Sequence, residues 1–123
     1  MREGGRVAAL ALVVLALATC DRASDVTAIA GGDPHRGRDA VRRYGCGTCH
    51  TIPGVSGARG TVGPPLTQMG RRSYVAGHLQ NTPENLARWI RQPQEVDRPN
   101  AMPDMGVTET DSRDIAAFLY TLR

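Results

Sequence analysis

Apolar residues are spread unevenly along this chain. One continuous apolar run, Val7 to Ala18, stands at the extreme N-terminus. Beyond it the apolar positions gather into three short stripes of helical period. In the first, Gly37, Val41 and Tyr44 fall four and three apart, on one face of a helix. Asp33 supplies a cap, Pro34 takes the first helical position, and Gly45 stops the helix after about Tyr44. In the second, Leu86, Trp89 and Ile90 share a face behind Thr82 as N-cap and Pro83 as first residue, and Pro93 ends the run. The third stripe is Ile115, Phe118, Leu119 and Leu122. Thr108 caps it, and Asp111, three residues on, completes a capping box. Residues 51–70, rich in Gly, Pro, Thr and Ser, and residues 94–107 carry no sustained apolar period and read as loops. No segment of real length alternates with period two, so no substantial sheet is expected. The predicted class is all-α, with three main helices joined by long wrapping loops. No internal repeat interrupts this pattern.

The N-terminal run changes the domain count. Twelve uncharged residues behind Arg2 and Arg6 are too few for a spanning helix, which needs about 20. They suit the apolar stretch of a signal peptide. Leu17-Ala18-Thr19-Cys20 then resembles the lipobox of bacterial lipoproteins, in which the cysteine is acylated and becomes the first residue of the mature protein. Thr19 departs from the small residue usual there. An ordinary exported protein with a stray Cys20 and an uncleaved anchor are the other readings of the segment. The chain thus divides into a signal peptide (1–19), a flexible tether (20–31) and one domain (32–123). Asp21 after the cysteine resembles the signal that retains lipoproteins in the inner membrane. The expected location is the periplasmic side of the cytoplasmic membrane, held by lipid at Cys20.

Composition then raises a question about the core. The 123 residues include five aromatics (Tyr44, Tyr74, Trp89, Phe118 and Tyr120), against 14 Gly and 8 Pro. Large aromatics dominate core energetics, so a domain this poorly supplied needs something else to fill it. All 15 basic residues are Arg. Removal of residues 1–19 takes Arg2, Arg6 and Glu3 and lowers the net charge from +3 to +2. No Arg-rich run interleaves with aromatics, so a nucleic-acid partner is set aside.

The filler is named by the cysteines. Cys46-Gly47-Thr48-Cys49-His50 is the C-x-x-C-H pattern of c-type haem attachment. Two thiols at this spacing add across the two haem vinyl groups, and the histidine directly after them lies under the iron as a ligand. The competing reading is a redox dithiol of thioredoxin type, which calls for a strand before the motif and a helix after it. The hydrophobic pattern contains no such unit.

The order helix, C-x-x-C-H, loop, helix, Met loop, helix resembles class I cytochromes c over residues 32–123. Gly32-Asp33 and Gly37 resemble the family's N-terminal helix, and Phe118 and Leu119 fall where its C-terminal helix crosses it. Gly63-Pro64-Pro65-Leu66 is similar to the family's G-P-N-L segment, with Pro65 in place of Asn. The resemblance implies one covalent haem c with His50 as proximal ligand and the Pro64 carbonyl orienting its ring. It implies Met102, nine residues after Pro93, as the axial thioether. Arg71, after Gly70, would lead toward a haem propionate, and Trp89 would face the haem. Met69 and Met105 are left to packing, with Met105 near the exposed edge. His35 and His78 are left to the surface.

What the resemblance implies is electron transfer rather than enzymatic catalysis. Iron held by His50 and Met102 has no open position for a small-molecule substrate, so the expected partners are redox proteins. The wording around Asn81–Leu86 and Asn100–Asp104 resembles bacterial cytochromes c associated with terminal oxidases, which makes a donor or relay to such an oxidase the expected role. A haem subunit fixed within an oxidase or dehydrogenase complex is the alternative. A peroxidase or gas-binding module, opened by loss of Met102, is a further one, although the Met loop offers no distal acid–base residue.

Overall fold

The structure, a computed structural model, describes residues 31–123. The expected signal peptide, Cys20, Asp21 and the tether up to Ala30 lie outside the described residues. Four helices order the rest: α1 (Pro34–Arg43), α2 (Pro83–Arg91), α3 (Pro93–Val96) and α4 (Glu109–Tyr120). Two 3-10 turns, Cys46–Thr48 and Met69–Arg71, punctuate the loops. A two-residue antiparallel pair, β1 (Tyr74–Val75) with β2 (Leu79–Gln80), sets Tyr74 against Gln80 and Val75 against Leu79.

Each main helix starts on the residue the sequence nominates. The Asp33 carboxylate accepts from the His35 and Arg36 amides at 2.8 and 3.1 Å. Thr82 accepts from Asn85 N–H at 3.2 Å and Thr108 from Asp111 N–H at 3.1 Å. Gly45, at φ 71°, turns the chain out of α1. The capping box at Thr108 is not made. Asp111 turns instead to α1, where Tyr44 Oη donates to it at 2.7 Å and Arg43 Nη2 at 2.9 Å. A phenol and a guanidinium outbid a single backbone amide for a short carboxylate. These donors, Tyr44 first, hold the Asp111 carboxyl below its ordinary range.

The expectation of a loop from residue 94 also fails at its start. Pro93 ends α2 but opens α3, a single turn. A proline has no N–H to continue the preceding helix, yet its fixed φ suits the first position of the next. Gln92 is the joint, its N–H bonded back to Arg88 O at 2.9 Å.

The core lies where α1, α2 and α4 meet. Ala40, Val41, Leu86, Ile90, Ile115, Ala116, Ala117, Phe118 and Leu119 are all buried there. α1 and α4 cross at backbone contact. A Cβ on Gly37 would fall 1.9 Å from the Asp114 carbonyl oxygen, so only glycine fits. Beside this crossing Asp114 is 1 % exposed. Burying an unpaired carboxylate would be very costly. Asp114 accepts instead from Asp33 N–H at 2.7 Å and from Arg36 Nε and Nη2 at 2.8 and 3.0 Å. At the far end of α4, Tyr120 Oη donates to Asn81, whose amide holds the Met69 and Arg72 carbonyls at 2.9 and 2.8 Å. Among the described residues, no helix is long and apolar enough to cross a membrane.

Candidate cofactor-binding cavity

Away from the α1–α4 crossing the chain forms a cavity of about 570 Å³ that is open to solvent on one side. That size lies in the range of small-molecule and cofactor sites. Cys49, His50, Val62, Gly63 and Pro64 line it from the motif side, and Leu66, Met69 and Val75 from the wrapping loop. Leu86, Trp89 and Ile90 enter from α2, and Asp97, Asn100, Ala101, Met102 and Pro103 from the Met loop. The lining is largely apolar, with Arg72 and Asp97 as its charged aliphatic side chains.

The motif occupies a tight turn. After Gly45 the chain winds through Cys46–Thr48, and the Cys49 and His50 amides both return to the Cys46 carbonyl, at 3.3 and 3.0 Å. No disulfide joins Cys46 and Cys49. Burial pushes the Cys46 thiol up. A redox dithiol needs the reverse, a thiol lowered at the start of a helix. Here a helix precedes the motif and a loop follows it, so the thioredoxin-type reading has no structural support.

His50 is held by its ring. Its Nδ1 lies 2.7 Å from the Pro64 carbonyl oxygen. A carbonyl only accepts, so Nδ1 carries the proton and Nε2 keeps its lone pair for a metal. Gly63 makes this packing possible, because a Cβ there would stand 2.4 Å from His50 Cε1. Met102 reaches the same cavity from a distant segment. Its main chain is gripped by two side chains, Asn100 Oδ1 on its N–H at 2.8 Å and Gln94 Nε2 on its carbonyl at 2.6 Å. Among the described residues no three His, Cys, Asp or Glu side chains converge on a common point. The His50 imidazole and the Met102 side chain are thus brought to the lining of one cavity.

Of the residues singled out in the sequence, Cys49, His50, Pro64, Trp89 and Met102 border the cavity. Cys46 sits just behind, partly buried against the core. Arg71 does not border it. In the turn Met69–Arg71 the buried residue is Met69, which leaves Arg71 exposed, and the next residue, Arg72, faces the cavity instead. Arg72 Nη2 is braced by the Pro65 and Thr67 carbonyls at 2.6 and 3.0 Å. Met105 is 44 % exposed, and His35 and His78 are exposed as expected. The sequence reading gave Gly63, Gln94 and Asn100 no individual role and did not place Arg72, or the exposed Val62 and Tyr74, in the lining of the cavity. Only Asn100 carried a usable signal, as an Asx residue two before the methionine in a loop that has to turn.

A helical domain with these thiols, this imidazole and this thioether around one apolar cavity has the donor set of a haem-bearing electron carrier. Residues 35–123 match the family described as Cytochrome c, and the chain belongs to that family as a class I c-type cytochrome. Membership carries with it a haem cofactor and electron transfer. Among curated relatives, the protein named cytochrome c oxidase subunit 2 from Alkalihalophilus pseudofirmus (strain ATCC BAA-2126 / JCM 17055 / OF4) is 36 % identical over 90 residues, covering 72 % of this chain and 25 % of the relative. Its namesake from Bacillus sp. (strain PS3) is 32 % identical over 89 residues, covering 69 % and 25 %. The chain therefore spans about a quarter of the length of these relatives. No solved structure matches the chain.

Proposed function

We propose that the protein carries one electron on a single haem c, bound by thioethers from Cys46 and Cys49 and ligated by His50 and Met102, and hands it to a terminal oxidase. The observation that carries this reading is the pairing of His50, its Nδ1 committed to Pro64, with Met102 in the lining of one cavity. The haem supplies iron that cycles between ferric and ferrous states. The chain's own residues orient the imidazole, present the thioether and keep water from an apolar site. A thioether ligand favours the reduced state and raises the potential. With His50 and Met102 both holding the iron, no position would be left for a substrate, and the protein would act as a carrier and not an enzyme. Arg72, rather than Arg71, is the cation at hand for the haem's propionates.

The oxidase as partner rests on the two relatives, in each of which a region like this chain makes up about a quarter of a protein named as an oxidase subunit. The same observation favours a second reading, a haem subunit fixed within such a complex. Acylation at Cys20 would tether the protein to the periplasmic face of the cytoplasmic membrane. Cys20→Ser should then move it to the soluble exported fraction, and continued membrane association would sink the lipid anchor.

The ligand set is tested by substitution. Met102→Ala should abolish the ferric charge-transfer band of methionine-ligated iron, and Met105→Ala should keep it. The reverse outcome would reassign the ligand to Met105.

A further inference from the structure

We propose that Asn100 and Gln94 form a clamp on the main chain of Met102 that sets how readily the sixth position of the iron opens. The inference deepens the His50/Met102 reading and rests on it. Among the described residues, no backbone–backbone hydrogen bond involves residues 101–107. The methionine therefore stands on a strand of chain that secondary structure does not hold. Its two main-chain groups are satisfied by side-chain amides alone, the N–H by Asn100 Oδ1 at 2.8 Å and the carbonyl by Gln94 Nε2 at 2.6 Å.

Both amides are anchored on one small element. Gln94 is the second residue of α3. Asn100 Nδ2 donates to the carbonyl of Pro93, the first residue of α3 and itself buried, at 2.9 Å, and also to the Asp97 carbonyl just after α3. An Asn side chain offers one oxygen that accepts and an NH₂ that donates twice, and all three functions are in use. Serine or alanine in its place cannot bridge the loop to α3 in this way. The one-turn helix at residues 93–96 thereby acts as the post to which the ligand loop is tied. Swinging Met102 away from the iron requires releasing these bonds. Each hydrogen bond contributes a few-fold to the ratio of closed to open loop. The clamp positions the ligand without touching iron or haem.

The experiment uses the full-length, haem-loaded protein and the rate at which carbon monoxide binds the ferrous form, because carbon monoxide enters only where Met102 has left. Asn100→Ala should bind about tenfold faster than the unsubstituted protein, since it loses up to three hydrogen bonds, and Gln94→Glu about threefold faster, since it loses one donor at unchanged size. Val41→Ala, which opens a gap at the distant α1–α4 contact, should lower the melting temperature and leave the carbon monoxide rate unchanged. The clamp is overturned if both amide variants bind at the original rate, or if Val41→Ala speeds binding as much as they do. Should Asn100→Ala fail to fold, Gln94→Glu decides alone, because its side chain is exposed. Absence of the methionine band in the unsubstituted protein overturns the ligand reading and the clamp together. A normal band with unchanged rates overturns the clamp only.

Discussion

The α1–α4 crossing and the loop that carries Met102 follow opposite rules of construction. At the crossing, two backbones meet over Gly37, a buried carboxylate has all its partners, and Ala116 and Ala117 leave no gap. Protein packs on protein there and nothing is missing. Around the cavity, Leu86, Trp89 and Met69 face a space of about 570 Å³ that the chain does not fill, and the Met loop closing it hangs on two side-chain amides. The difference teaches where the cofactor enters the stability of the molecule. One half finds its packing partners within the chain, whereas the other is a wall around the haem.

The largest effect should come from withholding the filler. The double variant Cys46→Ala/Cys49→Ala cannot form thioethers, and we expect its helical circular-dichroism signal to collapse toward that of an unfolded chain. A compact form that melts cooperatively would mean that the crossing half carries the fold unaided. Next in size is an attack on the crossing itself. Gly37→Ala places a methyl group 1.9 Å from the Asp114 carbonyl oxygen, and backbone on both sides has to give. We expect a loss of about 3 kcal/mol in guanidinium unfolding of the haem-loaded protein, with its methionine band unchanged. Loss of the band would show that the two halves are mechanically coupled.

The smallest effect concerns the seam between α1 and α4. Tyr44, before Arg43, depresses the Asp111 carboxyl. A depressed carboxyl contributes stability that is fully present above its unfolded value of about 4 and is lost as pH falls through its folded value. Tyr44→Phe removes the first of these donors. Its destabilisation should be full at neutral pH and should shrink as pH drops below about 4, read from urea midpoints across that range. A constant difference between the two proteins would assign the effect of Tyr44 to packing.

The two halves were also unequally legible in the sequence. The crossing could be read from local signals. Asp33 and Thr108 announce the starts of its two helices by chemistry that acts within three residues, and the resemblance to class I cytochromes c pointed to Gly37, Phe118 and Leu119 as the contact. The motif and its histidine were equally plain, because Cys46-Gly47-Thr48-Cys49-His50 stands as one contiguous pattern in the sequence. What escaped depends on the path of the loops. Arg72 differs from Arg71 only by one position around a 3-10 turn that the composition of residues 51–70 does not betray. α3 was hidden because a proline that ends one helix was not read as the start of another. Asp111 left its capping box for Tyr44 and Arg43, 67 and 68 residues away, and no local pattern encodes that choice.

The Asp114–Arg36 contact joins residues 78 positions apart, so the fold is fastened end to end. α1 therefore has nothing to cross until α4 has formed and docked. Before that docking, Cys46 and Cys49 belong to an unclosed chain, and their sulfurs are open from more sides than in the folded domain. A reagent for those sulfurs should act faster before the docking than after it.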